Sequence, residues 1–145
     1  MTITYTNIFK TKFLDPFWAI LKGEFNVFLS MDKEFEDHGT EWFNLNPLTD
    51  ESFEMRSGGN HRTYTANLRY YKHYKPERDR EWYNFVTPIG ERVKRLIGNN
   101  SNTSPYYWHD MNLDINYDPD RSELEEAEDL AIIEFIISFR IEEVY

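Results

Sequence analysis

The chain of 145 residues has no cysteine. That removes disulfides, thiolate metal sites and thiol catalysis together, and makes an intracellular protein indifferent to redox conditions the default expectation. Long apolar runs are missing too. None approaches the roughly 20 residues that cross a bilayer, and Phe17 to Leu21 is too short and too interrupted by charge for a signal peptide. Positive charge is scarce: 16 Lys and Arg stand against 26 Asp and Glu, a formal net charge of −10. This balance argues against a general nucleic-acid binder, which needs a basic surface to displace counterions. It suits acidic surfaces, including ones that must not stick to DNA passing nearby. Aromatics, by contrast, make up 17 % and hydrophobics 40 % of the chain, which excludes disorder of the whole and provides the core of one domain over residues 1–145. No internal repeat and no low-complexity tract interrupts it.

The most informative stretch is the last, Leu130 to Tyr145. Ile133, Phe135, Ile137, Phe139 and Ile141 alternate with Glu134, Ser138, Arg140 and Glu142. A period of two with β-branched and aromatic residues predicts a long strand with one face in the core. The alternation blurs near Ile136, where both faces are expected to be covered. A helix is the rival, since Ile132, Ile133, Ile136, Ile137 and Arg140 also share helical spacing; the clustered Ile and Phe favour the strand.

From the N-terminus, Ile8, Phe9, Phe13, Phe17, Ile20 and Leu21 form one helical stripe over residues 6–22, with Thr6 or Asn7 as N-cap and Gly23 as stop. Pro16 predicts a bend or two short helices near Asp15. Residues 25–36 stay ambiguous between strand, helix and ordered loop. Glu41 to Leu48 predicts a short strand closed by Pro47, and Phe53 to Met55 the start of the next. Arg56-Ser57-Gly58-Gly59-Asn60 is a turn signal. Beyond it runs a strand with Tyr64, Ala66, Leu68 and Tyr70 on one face and Thr63, Thr65, Asn67 and Arg69 on the other. Pro76 opens a polar helix with Trp82, Phe85 and Val86 inward. Thr87-Pro88 looks like a fresh cap, followed by Ile89, Val93, Leu96 and Ile97 to a stop at Gly98-Asn99-Asn100. Tyr106 to Tyr117 predicts a strand, and Asp118 to Asp129 an acidic connection. The outline is α-β-β-α-β-β: an α+β domain with a mostly antiparallel sheet of about four strands, covered on one face by two helices. The polar faces of the Tyr64 and Leu113 strands must meet water or a partner.

Chemistry is hard to find in this pattern. His38, His61, His73 and His109 lack partners at metal-ligand spacing. The acidic connection lacks the glycine and the ligand pattern of an EF-hand. Asp110, Asp114 and Asp118 fall about 13 Å apart along a strand, too sparse for paired-carboxylate catalysis. Gly58-Gly59 is no phosphate loop, and no serine sits in an elbow motif. Arg62, Arg69, Lys72, Lys75, Arg78 and Arg80 are interleaved with Tyr64, Tyr70, Tyr71 and Tyr74. That pattern can bind nucleic acid by stacking and phosphate contact, but in so acidic a protein it reads better as a polar strand face paired with carboxylates. No enzyme is expected, and no catalytic residue, cofactor or metal.

One resemblance spans nearly the whole chain. It is carried by an N-terminal helix, the EWFNLNP strand, the Ser-Gly-Gly turn and the Arg62 to Tyr71 strand. A helix ending RVKRLIGNN, the Trp108 to Tyr117 strand and the final IIEFIISFRIEE complete it. In this order and flavour of elements the sequence resembles the tail terminator, or tail-completion, proteins of long-tailed bacteriophages. The resemblance implies a structural virion protein of the tail or neck, made in the host cytoplasm. It would form a hexameric ring that caps the tail tube, halts its growth and joins the head-neck connector or stopper. Partners would be further copies of itself, the tail tube protein and the connector; genomic DNA would pass the lumen without specific binding, and no membrane is involved. For a family without an active site, only contact residues can be guessed. They are Glu54, Arg56, Asn60, His61, Arg62 and Arg69 at and beyond the hairpin tip, and Asp118, Asp120, Glu123, Glu125 and Glu126 in the acidic connection. Opposed acidic and basic stretches suit a head-to-tail ring contact. Two alternatives stay open: another neck or baseplate protein, such as a head-tail stopper, or a monomeric module holding an acidic ligand on its Tyr/Arg strand.

Overall fold

A computed structural model describes residues 2–55, 59–73, 79–101, 108–119 and 130–144. The chain begins with a π-helical stretch, Phe9–Leu14, that runs directly into helix α1, Asp15–Phe25. Asn7 serves as the cap, its Oδ1 accepting the Lys10 N–H at 3.1 Å. Pro16 sits in the first turn of α1, where its missing N–H is least costly, and the widened turns lie just before it. The bend expected at Asp15 is therefore a change of helix type. Gly23 does not end the helix. Asn26, in the left-handed conformation with φ 53°, does so instead.

Strand β1, Phe28–Ser30, settles part of the ambiguous stretch as a three-residue parallel edge strand. Strands β2, Glu41–Met55, and β3, Gly59–His73, form an antiparallel hairpin. Pro47 does not close β2 as the sequence suggested. The strand runs through it, with a register shift between Pro47 and Thr49. This is tolerated because β1 pairs only with Trp42 to Asn44, so beyond Asn44 β2 is an edge that needs no donor on its outer side. Helix α2, Asp79–Asn100, likewise runs unbroken past Pro88. Thr87-Pro88 is not a second start: Pro88 and Asn84 lie on the solvent side, where water can replace the lost N–H. Strands β4, His109–Asn116, and β5, Leu130–Val144, complete a five-stranded sheet of order β1-β2-β3-β5-β4, antiparallel except for β1. The domain is α+β, with one more short strand than expected. The helical rival for the last stretch is overturned, since fifteen β5 residues pair with β3.

Both helices lie on one face of this sheet. Phe13, Phe17 and Leu21 from the N-terminal helices and Val86, Ile89, Val93 and Ile97 from α2 meet Tyr64, Ala66, Leu68 and Tyr70 of β3. The alternate residues Ile133 to Ile141 of β5 complete this core. Phe13 is its centre, stacked on Phe139 at 4.2 Å and on Phe17 at 4.9 Å, with Trp108 edge-on at 5.3 Å. Among the described residues the opposite face is covered at one end, where Trp42, Tyr71, Leu130 and Ile132 form a small cluster beneath Phe35. That cluster explains why the β5 alternation fails at its N-terminal end, while Ile136 is only half-buried. Among the described residues no helix is long and apolar enough to cross a membrane.

Gly90 of α2 is buried against the ring of Tyr117, just past β4. A Cβ there would stand 2.9 Å from two ring carbons and closer still to the hydroxyl. Ala normally improves a helix interior over Gly by about 1 kcal/mol. Gly90→Ala should instead destabilise by about 1–3 kcal/mol through overpacking, and become neutral or stabilising in a Tyr117→Ala background; urea denaturation of the four proteins reads the change of sign.

Candidate functional site

Among the described residues, the charged side chains and the open margins of the sheet form the candidate functional surface. The hairpin brings Arg62 opposite Ser52 and next to Asp50, whose Oδ2 lies 2.5 Å from an Arg62 guanidinium nitrogen; the guanidinium also sits 5.3 Å from the Tyr64 ring centre. Arg69 donates to Glu134 Oε2 from two nitrogens, at 2.7 and 3.0 Å, and Asn67 donates to the same oxygen at 3.2 Å. Lys72 lies 3.8 Å from Glu41. Tyr64, Tyr70 and Tyr71 are buried. Tyr70 donates to Glu41, and burial, with that carboxylate adding, pushes its phenol far above the ordinary value. The described tyrosines of this strand thus offer no stacking platform, and its described cations are matched by the protein's own carboxylates.

The predicted contact residues separate in space. Glu54 and Asn60 face each other across the hairpin backbone, and Asn60 also pairs with Glu143; their side chains, like Arg56 altogether, lie outside the described residues. His61 is half-buried, with Nδ1 3.8 Å from Glu142. Arg62 and Arg69 differ by seven positions on β3, so they point to opposite faces. Asp118 is exposed in the turn after β4. Asp120, Glu123, Glu125 and Glu126 lie outside the described residues. The acidic connection leaves β4 beyond Asn116, which pairs with Glu134 beside Arg69, and re-enters at Leu130, opposite His73. Its described ends, Asp118–Pro119 and Leu130, therefore lie toward the His73 end of the sheet. The hairpin tip and Val144 lie at the other, about 45–50 Å away along fifteen strand residues.

The segment 31–40, whose first part the sequence left open between strand, helix and ordered loop, is an ordered loop that crosses the second face of the sheet. Buried Asn44 holds it by mimicking a strand: its Oδ1 accepts the Asp32 N–H at 2.8 Å and its Nδ2 donates to the Asp32 carbonyl at 3.1 Å. His38 lies 2.5 Å from Asp32, and one ligand atom each of Asp32, Glu36 and His38 falls within 4.8 Å of the others. No spacing rule finds such a set, because the loop's path creates it; its geometry is that of a surface cluster closed by its own hydrogen bond. Asp37 bonds His73 at 2.8 Å and ties the segment to β3. A polar hollow of about 180 Å³ lies beside it, lined by Lys33, Asn46, Asn67 and Arg69. A larger groove, about 550 Å³, opens at the β4 edge between Met111 and Leu113 and the end of α2, Lys94 to Ser101.

No family model matches the chain, and no curated protein does. Among solved structures 14 chains match. One is the sheath/tube terminator, in the extended state, of the extracellular contractile injection system PVC. It is 11 % identical, with a TM-score of 0.48, over 97 % of this chain and 58 % of that one. This chain thus spans less than two thirds of that protein's length. The likeness is coarse and by itself assigns no partner or assembly.

Two outcomes follow from these ion pairs. Arg69→Met leaves half-buried Glu134 without its partner and should cost about 2–3 kcal/mol, less than a fully buried pair because both groups remain partly exposed. Arg69→Met with Glu134→Leu should recover most of that loss in the same denaturation experiment. For Asp37, the Gly39 backbone N–H, then His73, hold the carboxyl below its ordinary value of 3.8. A depressed folded pKa gives stability that is complete above the unfolded value and lost as pH falls through the folded one. The melting temperature of Asp37→Asn should therefore lie below wild type at pH 6, and the gap should begin to close as pH falls below 3.8 and vanish once the folded carboxyl is protonated.

Proposed function

We propose that the chain is the subunit of a ring that caps a phage-type tail tube, stops its polymerisation and joins it to the neck, without catalysing a reaction. One observation carries the reading. The two surfaces expected to contact neighbours, the hairpin end and the acidic connection, leave the sheet at opposite ends of the same long strands. A subunit whose unlike surfaces lie at opposite ends suits heterologous, head-to-tail contacts, which form a ring when the rotation between neighbours closes and a filament when it does not. The element order quoted from the sequence supports the same reading. So does the net charge of −10, which lets DNA slide through a lumen by like-charge repulsion. Another neck or baseplate subunit would share these features. The module holding an acidic ligand is disfavoured, because Arg62 and Arg69 are paired with Asp50 and Glu134 and the described tyrosines of the strand are buried.

Negative-stain imaging of the purified protein, alone and mixed with tail tubes, tests this proposal. Closed rings, or a distinct cap at one end of each tube, are the expected result. A protein that stays monomeric and ignores tube ends would overturn it.

A further inference from the structure

Residues Thr2 to Thr6 read Thr-Ile-Thr-Tyr-Thr, a strand-forming alternation of β-branched and aromatic residues that belongs to no strand of this chain. Its apolar residues stand in water: Ile3 is 74 % and Tyr5 82 % exposed. At the opposite margin of the sheet, β4 has no strand on its outer side among the described residues. Its helix-facing residues Met111, Leu113 and Ile115 are only partly buried, because the apolar layer ends there. The 550 Å³ groove is that opening, with Lys94 and Arg95 among the α2 residues lining it.

We infer that Thr2 to Thr6 of one copy adds as a strand to the β4 edge of a second copy, with Ile3 and Tyr5 seated in its groove between β4 and α2. The match is specific in three respects. The register shift in β4 is confined to His109–Asn112, so Asn112–Asn116 is a regular edge as long as the segment. The other long edge, distal β2, is blunted by Pro47, a register shift, Asp50 and Glu51. Charge selects as well: exposed Asp114 of β4 repels an acidic strand but accepts the uncharged threonine face, while the Tyr5 ring meets Lys94 and Arg95 as a cation–π partner. The donor must be another copy. Ile8 is buried and Phe9 stacks on Tyr64 of β3, with ring centres 5.4 Å apart. A strand outside β4 lies three strand spacings from there, about 14 Å, and Asn7 alone cannot bridge that gap between Thr6 and Ile8.

The inference rests on the self-association in the preceding proposal, but not on what the assembly caps. The absence of cysteine makes a clean test. Thr4 and Asp114 are the central residues of the two segments, so they face each other in a parallel or an antiparallel alignment. Thr4→Cys and Asp114→Cys proteins are mixed, alone and with tail tubes, and treated with a short bismaleimide. A cross-linked dimer containing one chain of each kind is expected. Ile3→Asp with Tyr5→Asp should abolish it while leaving the circular dichroism and melting temperature of the monomer unchanged. Cross-linking only between chains of the same kind, or none at all, overturns the inference. Rings or tube caps still formed by the Ile3→Asp, Tyr5→Asp protein also overturn it and leave the terminator reading standing. Cross-linked copies that ignore tube ends do the reverse.

Discussion

The fold depends on one hydrogen bond between distant parts of the chain. Trp108 Nε1–H donates to the Lys12 carbonyl at 2.8 Å. In a regular α-helix that carbonyl would accept from residue 16, and Pro16 has no N–H to give. An unpaired carbonyl in the core would cost about 1–3 kcal/mol; the indole removes that cost and holds its own ring against Phe13 and Phe17. The same residue anchors the return from α2, because the Trp108 N–H donates to the Ser101 carbonyl at 2.6 Å. One side chain thereby fixes the N-terminal helices, the end of α2 and the start of β4 around the Phe13–Phe139 stack.

The constraint that follows is one-sided burial. With both helices on one face, every strand presents its alternate residues to the other, and half-buried charges there must be paired. Arg69 with Glu134 answers that need, while Lys72 meets Glu41 on the helix side, over the Phe85 ring, and the segment 31–40 shields the aromatic end of the open face. Charge that looks like a ligand site in one dimension is spent on holding the sheet together.

Much of this was legible in the residues. The β3 and β5 alternations predicted which side chains are buried, because a period of two has only one way to place a face in the core. The N-terminal stripe, the Asn7 cap, the hairpin and the α+β class followed in the same way. The errors cluster at prolines. Pro47 and Pro88 read as terminators, since local chemistry counts the missing N–H as a break; in the fold both face the solvent side, where no donor is required. Of the predicted contact residues, Arg62 and Arg69 were placed on one strand correctly but not on opposite sides of it with separate carboxylates.

By itself the sequence determined the α+β class, the buried faces of the third and fifth strands, and the absence of disulfides and thiolate chemistry. Those are local or additive properties, set by side-chain period and composition. The tertiary structure decided which strands are edges and that the third and fifth strands pair along their whole length. It also decided that Asp32, Glu36 and His38 meet, and that Ile3 and Tyr5 stand exposed among the described residues. Each of these depends on contacts between residues far apart in sequence, where pairing, loop path and burial compete across the whole sheet.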